Sequence, residues 1–559
     1  MFSQTSADYL DEGNAKFKLE DYRGAIADFS KAIAINPNDA DAYINRGNAK
    51  VQLEDYRGCF ADFNKAIEIN PKDAKVYYNI GYVKSRLEDY RGAITGYSKA
   101  IEINPKYAKA YLNRGIAKGQ LADLRGAIAD FNKAIEINPN YDKAYFNRGN
   151  AKIKLEDSRG AIEDYSKAVD VNPNFADAYN NRGIAKAKLD DLRGATTDYN
   201  KAVEINPNFA DAYFNRGDAK TKIEDYRGAI TDYNKAIEIN PNYADAYLNS
   251  GYAKAKLEDY RGAIADYNKA IEINPNFDDA YLNRGIAKAE LEDYRGAITD
   301  FNKAIELDPI DAVTYNIRGL ARFELKDYRG AITDYSKAIE INPNSAVAYF
   351  NRGLAQFELE DLRGAITDFN KAIEINPSSA EAYSNRGITK AKLDDLRGAI
   401  TDFNKAIEIN PNYADAYFNR GLIKAKLDDL RGAITDCNKA IEINPSSADA
   451  YNTRGNAKDK LKDYRGAITD YNKAIEINPN SADAYFNRAI AKTKIEDYRG
   501  AIADYNKAIE INPNFADAYF NRGLVKILLN DKENGCLDFS KAGELGQFNA
   551  YDAIKDFCK

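Results

Sequence analysis

Asparagine recurs in this chain at one register, and the repetition invites a chemical reading. Asn45, Asn79, Asn113, Asn147, Asn181, Asn215, Asn249, Asn283, Asn351, Asn385, Asn419, Asn487 and Asn521 lie 34 residues, or a multiple of 34, apart. A carboxamide offers two donors and an acceptor, so it can pair with both the N–H and the C=O of an extended peptide. That pairing reads peptide without reading its sequence. A single hydrogen bond contributes about 0.5–1.5 kcal/mol, so useful affinity needs several rungs of such a ladder. The competing use is internal, each carboxamide bonding the neighbouring repeat.

Other reactive chemistry is sparse. The 559 residues include no histidine, which removes the imidazole base, the histidine-assisted nucleophile and the histidine metal site. Cys59, Cys437, Cys536 and Cys558 form no CxxC pair, a usage ordinary for a reducing compartment. Carboxylates are plentiful, but no residues remain outside the repeats to build a pocket around an acid/base pair. The expectation is a protein without enzymatic activity, cofactor, metal or small-molecule substrate. A net charge of −7 weighs against nucleic acid, whose phosphates need basic surface. No run of about 18 apolar residues is present to span a membrane. The opening "MFSQTSADYLDEGNAK" has neither the basic nor the apolar region of a signal peptide. A cytoplasmic protein without membrane insertion is expected.

The elements that carry the asparagines follow from punctuation. All 15 prolines, Pro37 through Pro513, are spaced by 34 residues. With Ala40 as position 1, sixteen units span 6–549, leaving a leader at 1–5 and "AYDAIKDFCK" at 550–559. In the unit 210–243, Tyr213, Gly217, Ala219 and Ile223 form one stripe at helical spacing. Tyr226, Ala229, Ile230, Tyr233, Ala236 and Ile237 form a second. Pro241 ends the second helix. Asn242, with Asp245 three residues on, predicts a capping box for the next first helix, and Asp225 predicts the cap of the second. Each helix should run for 12–14 residues. Gly217 and Ala229 allow the pair to approach closely. A pair this short cannot bury its own stripe, so the units must stack as a quasi-one-dimensional solenoid. Position 19 is glycine in the repeated "RGA" (Gly24, Gly58), at about 1 kcal/mol against alanine inside a helix. Its expected use is only to ease the start of the second helix.

Small residues at positions 8, 20 and 27, aromatics at 4, 17 and 24, and proline at 32 resemble the tetratricopeptide repeat (TPR) over residues 6–549. The resemblance implies an all-α, right-handed α-solenoid superhelix. Its concave surface would be lined by the first helices, at positions 2, 5, 6, 9, 12 and 13. It also implies a protein-interaction scaffold, and the asparagine series is similar to the ladder inside O-linked N-acetylglucosamine transferases. Two departures stand out: position 4 is tyrosine rather than tryptophan, and position 7 is mostly arginine (Arg46, Arg114, Arg148) rather than leucine. "NDKENGCLDFSKAGELGQFNA", with Lys532 in place of the packing aromatic, is similar to the end of bacterial TPR arrays. "YDAIKDFCK" then reads as a capping helix.

The face is not uniform along the chain. Val313, Ile317, Leu320, Phe323, Val347, Phe350, Leu354 and Phe357 form an apolar patch edged by Glu290, Glu324 and Glu358, fit for an apolar, partly basic peptide. Lys75, Lys109 and Lys143, near Tyr78, Tyr82 and Arg86, could draw an acidic segment. Neutral drift would leave the same variation. The clamp that TPR proteins use for chaperone carboxylates needs lysine at position 5 and arginine at position 6 two units on, and neither occurs. Arg23 and Lys31 and their equivalents belong to the solvated outer side. Cys59 and Cys437 fall at packing positions. Ile317 and Thr453 interrupt the ladder, so an extended peptide is expected along Asn45–Asn283 with Ile317 as its end-stop. A recognition subunit for a separately encoded enzyme is the second reading. RNA binding by helical repeats is the third, disfavoured by the acidic balance.

Overall fold

The computed structural model describes residues 4–558 and contains two compact units, 1–283 and 284–559. Among the described residues there are thirty-three α-helices and no strand. Thirty-two of them form helix pairs in the expected 34-residue register, with a first helix such as Ala210–Lys222 and a second such as Tyr226–Ile239. Within each unit, packing runs between consecutive helices and between successive first helices. That is the nearest-neighbour logic of an all-α solenoid.

The start of the second helix explains the unexplained glycine. Asp225 caps it, accepting a hydrogen bond from the Gly228 N–H at 3.0 Å. A Cβ on Gly228 would lie 2.1 Å from Asp225 Oδ2, so position 19 is bare because the capping carboxylate occupies that space. The chain reaches the cap through a left-handed residue, Glu224 at φ 62°. Position 15 carries that conformation in every unit, without glycine.

The first helix begins differently from the expected capping box. Its N-cap is Tyr243, with no side-chain hydrogen bond, and Asn242 lies in the preceding turn. There the Asn240 Oδ1 accepts from the Asn242 N–H at 3.2 Å. Proline fixes a two-residue turn after Asn240, which moves the cap one residue further than predicted. Where that next residue is Asp39 or Ser447, its side chain does accept from the helix, at 3.1 and 3.3 Å.

The core is a column of alanines and rings. Tyr233 is fully buried, and a Cβ on Gly217 would lie 2.6 Å from its ring, so position 8 is small because position 24 is large. Cys437 takes a ring's place, and the nearest atom to a Cβ on Gly421 retreats to 3.2 Å. Cys59 and Cys437 are buried free thiols, pushed up to about 11 and about 12 by burial. Both are packing residues.

Arginine at position 7, present in thirteen of the sixteen units, builds the strongest polar contact of those units. Arg216 Nε and Nη2 donate to Asp232 Oδ2 and Oδ1 at 2.9 and 2.5 Å, and Lys220 Nζ lies 2.8 Å from Oδ2. The third arm, Nη1, donates to Asn200 Oδ1 of the preceding pair at 2.7 Å. The guanidinium lies over the Tyr213 ring, 5.2 Å from its centroid, which is the use of tyrosine at position 4. Asp232 is 1% exposed. The outward-facing cations behave as expected, Lys235 pairing with Glu238 on the exposed side of its own helix.

At the carboxyl end, helix Asn549–Phe557 follows the last pair, beginning one residue before the expected cap. A disulfide joins Cys536 to Cys558, with Cα atoms 5.8 Å apart. The reading of all the cysteines as ordinary thiols of a reducing compartment therefore fails for this pair. Two half-cystines 22 residues apart carry no local spacing signal, and only the folding-back of the terminal helix brings them together. At the other end Thr5 caps helix Ser6–Lys18 in a capping box with Asp8. The expected leader falls partly outside the described residues.

Two substitutions check these accounts. Asp232→Ala strands Arg216 and Lys220 and should cost about 3–5 kcal/mol, read as lost amide-exchange protection across residues 210–243. Gly228→Ala, which in an ordinary helix interior gains about 0.5–1 kcal/mol, should bring no gain in urea midpoint, because the new methyl displaces the cap.

Candidate functional site

The thirteen asparagines divide by what the preceding unit offers at positions 9 and 5. Where position 9 is an amide or carboxylate, the Nδ2 donates to it across the units. Asn45 bonds Asn14 at 3.0 Å, Asn79 bonds Asn48 at 2.8 Å, Asn181 bonds Asn150 at 3.0 Å and Asn249 bonds Asp218 at 2.9 Å. Burial raises the Asp218 carboxyl above its ordinary range, against the donors Tyr233 and Asn249. Where position 9 gives no free acceptor but position 5 does, the bond moves there. Asn113 donates to Tyr78 Oη, and Asn215, Asn351 and Asn487 donate to Asn180, Asn316 and Asn452. Asn487 departs from this rule: Asn456 stands at position 9, accepting from the Tyr471 hydroxyl at 2.7 Å, yet Asn487 donates to Asn452.

Four asparagines turn back on their own helix. Asn147, Asn283, Asn385 and Asn521 donate to the carbonyls of Lys143, Asp279, Glu381 and Asp517 at 2.7–2.9 Å. They follow units whose positions 9 and 5 are Ile116 and Leu112, Tyr252 and Leu248, Leu354 and Phe350, or Ile490 and Phe486. Asn419 makes no side-chain hydrogen bond among the described residues and lines a cavity of about 240 Å³ beside Ile388 and Ile423. Of the expected run from Asn45 to Asn283, six members are thus tied to a neighbouring unit and only Asn147 and Asn283 are not. A column read down position 6 cannot reveal this, because the deciding partner sits 31 or 35 residues earlier. Position 9 was the available signal.

The apolar patch is graded. Val313, Leu320 and Val347 are 58%, 40% and 60% exposed. Ile317, Phe323, Phe350, Leu354 and Phe357 are half-buried. Phe323 packs edge-on to Tyr328 and Phe350 tilts against Phe369, at centroid distances of 5.1 and 5.8 Å. The Lys392 ammonium sits 4.2 Å from the centre of the Phe357 ring. Beneath the patch the Tyr335 hydroxyl is buried with no hydrogen-bond partner among the described residues. In other repeats position 9 or 12 can supply that partner, as Asp218 and Thr221 do for Tyr233 and Asn150 does for Tyr165. Here those positions are Leu320 and Phe323. An orphaned hydroxyl costs about 1–3 kcal/mol.

The lysine patch is exposed at Lys75, Lys109 and Lys143, and Tyr82 is 40% exposed. Tyr78 is taken up by Asn113 and by stacking on Tyr107 at 5.1 Å. The described residues hold no cluster of three metal-ligating side chains, and none of their helices is long and apolar enough to cross a membrane.

Repeat models described as TPR repeat match residues 13–54, 84–122, 153–190, 185–223, 217–258, 251–292, 319–360, 391–428 and 491–527. Others described as Tetratricopeptide repeat match 40–73, 108–141, 278–311, 346–379, 414–447 and 448–481 in the register of the units, and also 63–95, 131–163 and 470–503. No curated protein matches the chain. Among solved structures, Cut9–Hcn1 of the APC/C is 15% identical at TM-score 0.37, covering 87% of this chain and 96% of its own. YrrB, described as a TPR protein with an unusual peptide-binding site, is 27% identical at TM-score 0.30, covering 33% and 95%. MamA from Desulfovibrio magneticus RS-1 is 25% identical at TM-score 0.29, covering 30% and 96%.

The partition of the asparagines has a direct check. Asn181→Ala should lower stability by about 0.5–1.5 kcal/mol, the worth of one inter-unit hydrogen bond. Asn147→Ala should be neutral or slightly stabilising, since alanine is the better helix former. Equal shifts in denaturation midpoint would contradict the partition.

Proposed function

The chain belongs to the tetratricopeptide repeat family, and on that premise we propose that it is a non-catalytic scaffold holding extended segments of partner proteins against its first helices. The observation that carries the reading is the exposed patch of Val313, Leu320 and Val347, whose neighbour Phe323 packs against the cluster holding the orphaned Tyr335 hydroxyl. Exposed apolar side chains in this number are unfavourable unless something covers them. The repeat 312–345 gives up the tyrosine's partner at Leu320 and Phe323, two residues of the patch itself. The edge of that patch is acidic, with Glu290, Glu324 and Glu358 all exposed. An apolar segment carrying lysine or arginine fits both features.

The asparagines enter as backbone-pairing groups at a subset of positions. Asn147, Asn283, Asn385, Asn419 and Asn521 are not committed to a neighbouring unit, and these five are the rungs we assign to ligand. The other eight hold the stack together. Binding by a few rungs and a few apolar anchors gives modest affinity per contact, as suits an adaptor.

Selection of a random peptide display library on the purified chain tests this. The wild type should enrich apolar segments with basic flanks. Leu320→Glu with Val347→Glu should abolish that enrichment at least tenfold while helical circular dichroism is retained, both side chains being exposed. Enrichment that survives the double substitution would falsify the patch as the binding surface.

A further inference from the structure

The first helix Ala108–Gln120 ends with a feature that no other unit shares. Position 12 is Gly119, where the other units carry side chains from alanine to phenylalanine. A Cβ built on Gly119 meets no atom within 4 Å, so the glycine is not required by packing. Nor is it required by conformation, because its φ is not positive. What it leaves is a cavity of about 410 Å³ between three successive units. The walls are Ile116, Leu124, Ile153 and Ile184, with the Phe131 and Tyr165 rings among the lining.

The polar groups at this cavity are unevenly committed. Asn150 Oδ1 already accepts from the Tyr165 hydroxyl at 2.7 Å and from Asn181 at 3.0 Å. Asn147 is one of the asparagines that bond only their own helix, and its Oδ1 accepts from no described residue. Lys154 is the single charged residue of the lining. Lys154, Lys109 and Lys143 are exposed and take part in no ion pair among the described residues. By contrast Lys118 and Lys152 of the same units are held by Asp130 and Asp164, at 2.8 and 2.9 Å.

We propose that the Gly119 cavity is a side-chain pocket for an aromatic residue flanked by carboxylates in an extended partner segment. This rests on the first-helix face being the peptide-binding face. Volume and apolar walls suit a ring. Asn147 stands where the segment's backbone would pass. The unpaired lysines fix the sign of the flanking charge. The pocket thus differs in chemistry from the acidic-edged patch of Val313, Leu320 and Val347, which takes basic flanks.

The chain contains no tryptophan, so a tryptophan in the ligand reports its own burial. Acetyl-Ser-Glu-Trp-Glu-Ser-amide titrated with the full chain should show a saturable blue shift in emission. Gly119→Leu fills the cavity from a position with free space, so melting temperature should be unchanged or raised while binding weakens at least tenfold. Lys154→Glu should weaken it by a similar factor while leaving the apolar walls in place. Unchanged binding in both variants, or no binding by the wild type, overturns the pocket. Acetyl-Ser-Lys-Trp-Lys-Ser-amide separates the two readings. If it binds wild type and is lost in Leu320→Glu with Val347→Glu while the acidic peptide never binds, the pocket falls and the peptide-binding face stands. If neither peptide binds, both fall.

Discussion

A buried aspartate at position 23 of nearly every unit dictates much of what surrounds it. Asp232, 1% exposed, is costly to bury without donors on both oxygens. Arg216 and Lys220, one helical turn apart on the first helix, supply them. Because a guanidinium is a planar fork, satisfying both oxygens fixes how the first helix is rotated about its axis. The remaining Nη1 then reaches only one place, position 25 of the preceding pair. The cluster therefore sets the geometry inside a unit and between units at once. Its contribution is to register more than to stability, since a buried pair is balanced by desolvation.

The chain carries its own control for that argument. In the unit 74–107, position 7 is Ile80 and position 23 is Gly96, so arginine and aspartate are absent together. A Cβ on Gly96 would lie 2.8 Å from the Gly81 backbone nitrogen. With no ion cluster to accommodate, these two helices approach backbone to backbone. In the unit 244–277, Ser250 stands for arginine, and its hydroxyl donates to Asp266 at 2.6 Å. In the unit 6–39, where position 7 is Glu12, Lys16 and Lys31 answer the Asp28 carboxylate instead.

Sequence was a good guide to what repeats within one unit and a poor one to what crosses between units. The period, the two helices, the Asp225 cap and the packing of Cys59 and Cys437 all follow from residues within one unit. The partner of each asparagine does not, because it lies 31 or 35 residues back and changes from unit to unit. The cap of the first helix was misplaced by one residue because the turn after Asn240 is set by Pro241 rather than by the capping preference of Asn242. The arginine at position 7 looked like a departure from a leucine pattern. Its pairing with position 23 was nonetheless readable in the joint loss at Ile80 and Gly96. The Cys536–Cys558 bridge depends on where the terminal helix docks, which no periodicity predicts.

One division of labour follows from the geometry. Positions 4, 7, 8, 11, 20, 23, 24 and 27 are bound to one another by rings, alanines and the ion cluster, so substitution at one changes what another meets. Position 12 is held more loosely, reaching position 24 in some units, as Thr221 reaches Tyr233. It ranges from Gly119 through Asp459 to Phe357 while the helix pairs keep the same lengths and register. Position 9 is intermediate: with an apolar residue at position 5, asparagine or aspartate at position 9 ties down the next unit's asparagine, whereas isoleucine or leucine there releases it. A single change at position 9 therefore converts a structural amide into an available one without altering the amide itself. The proposed binding chemistry therefore falls where the scaffold exerts least control, and whether an asparagine is free for it depends on positions 9 and 5 of the preceding repeat.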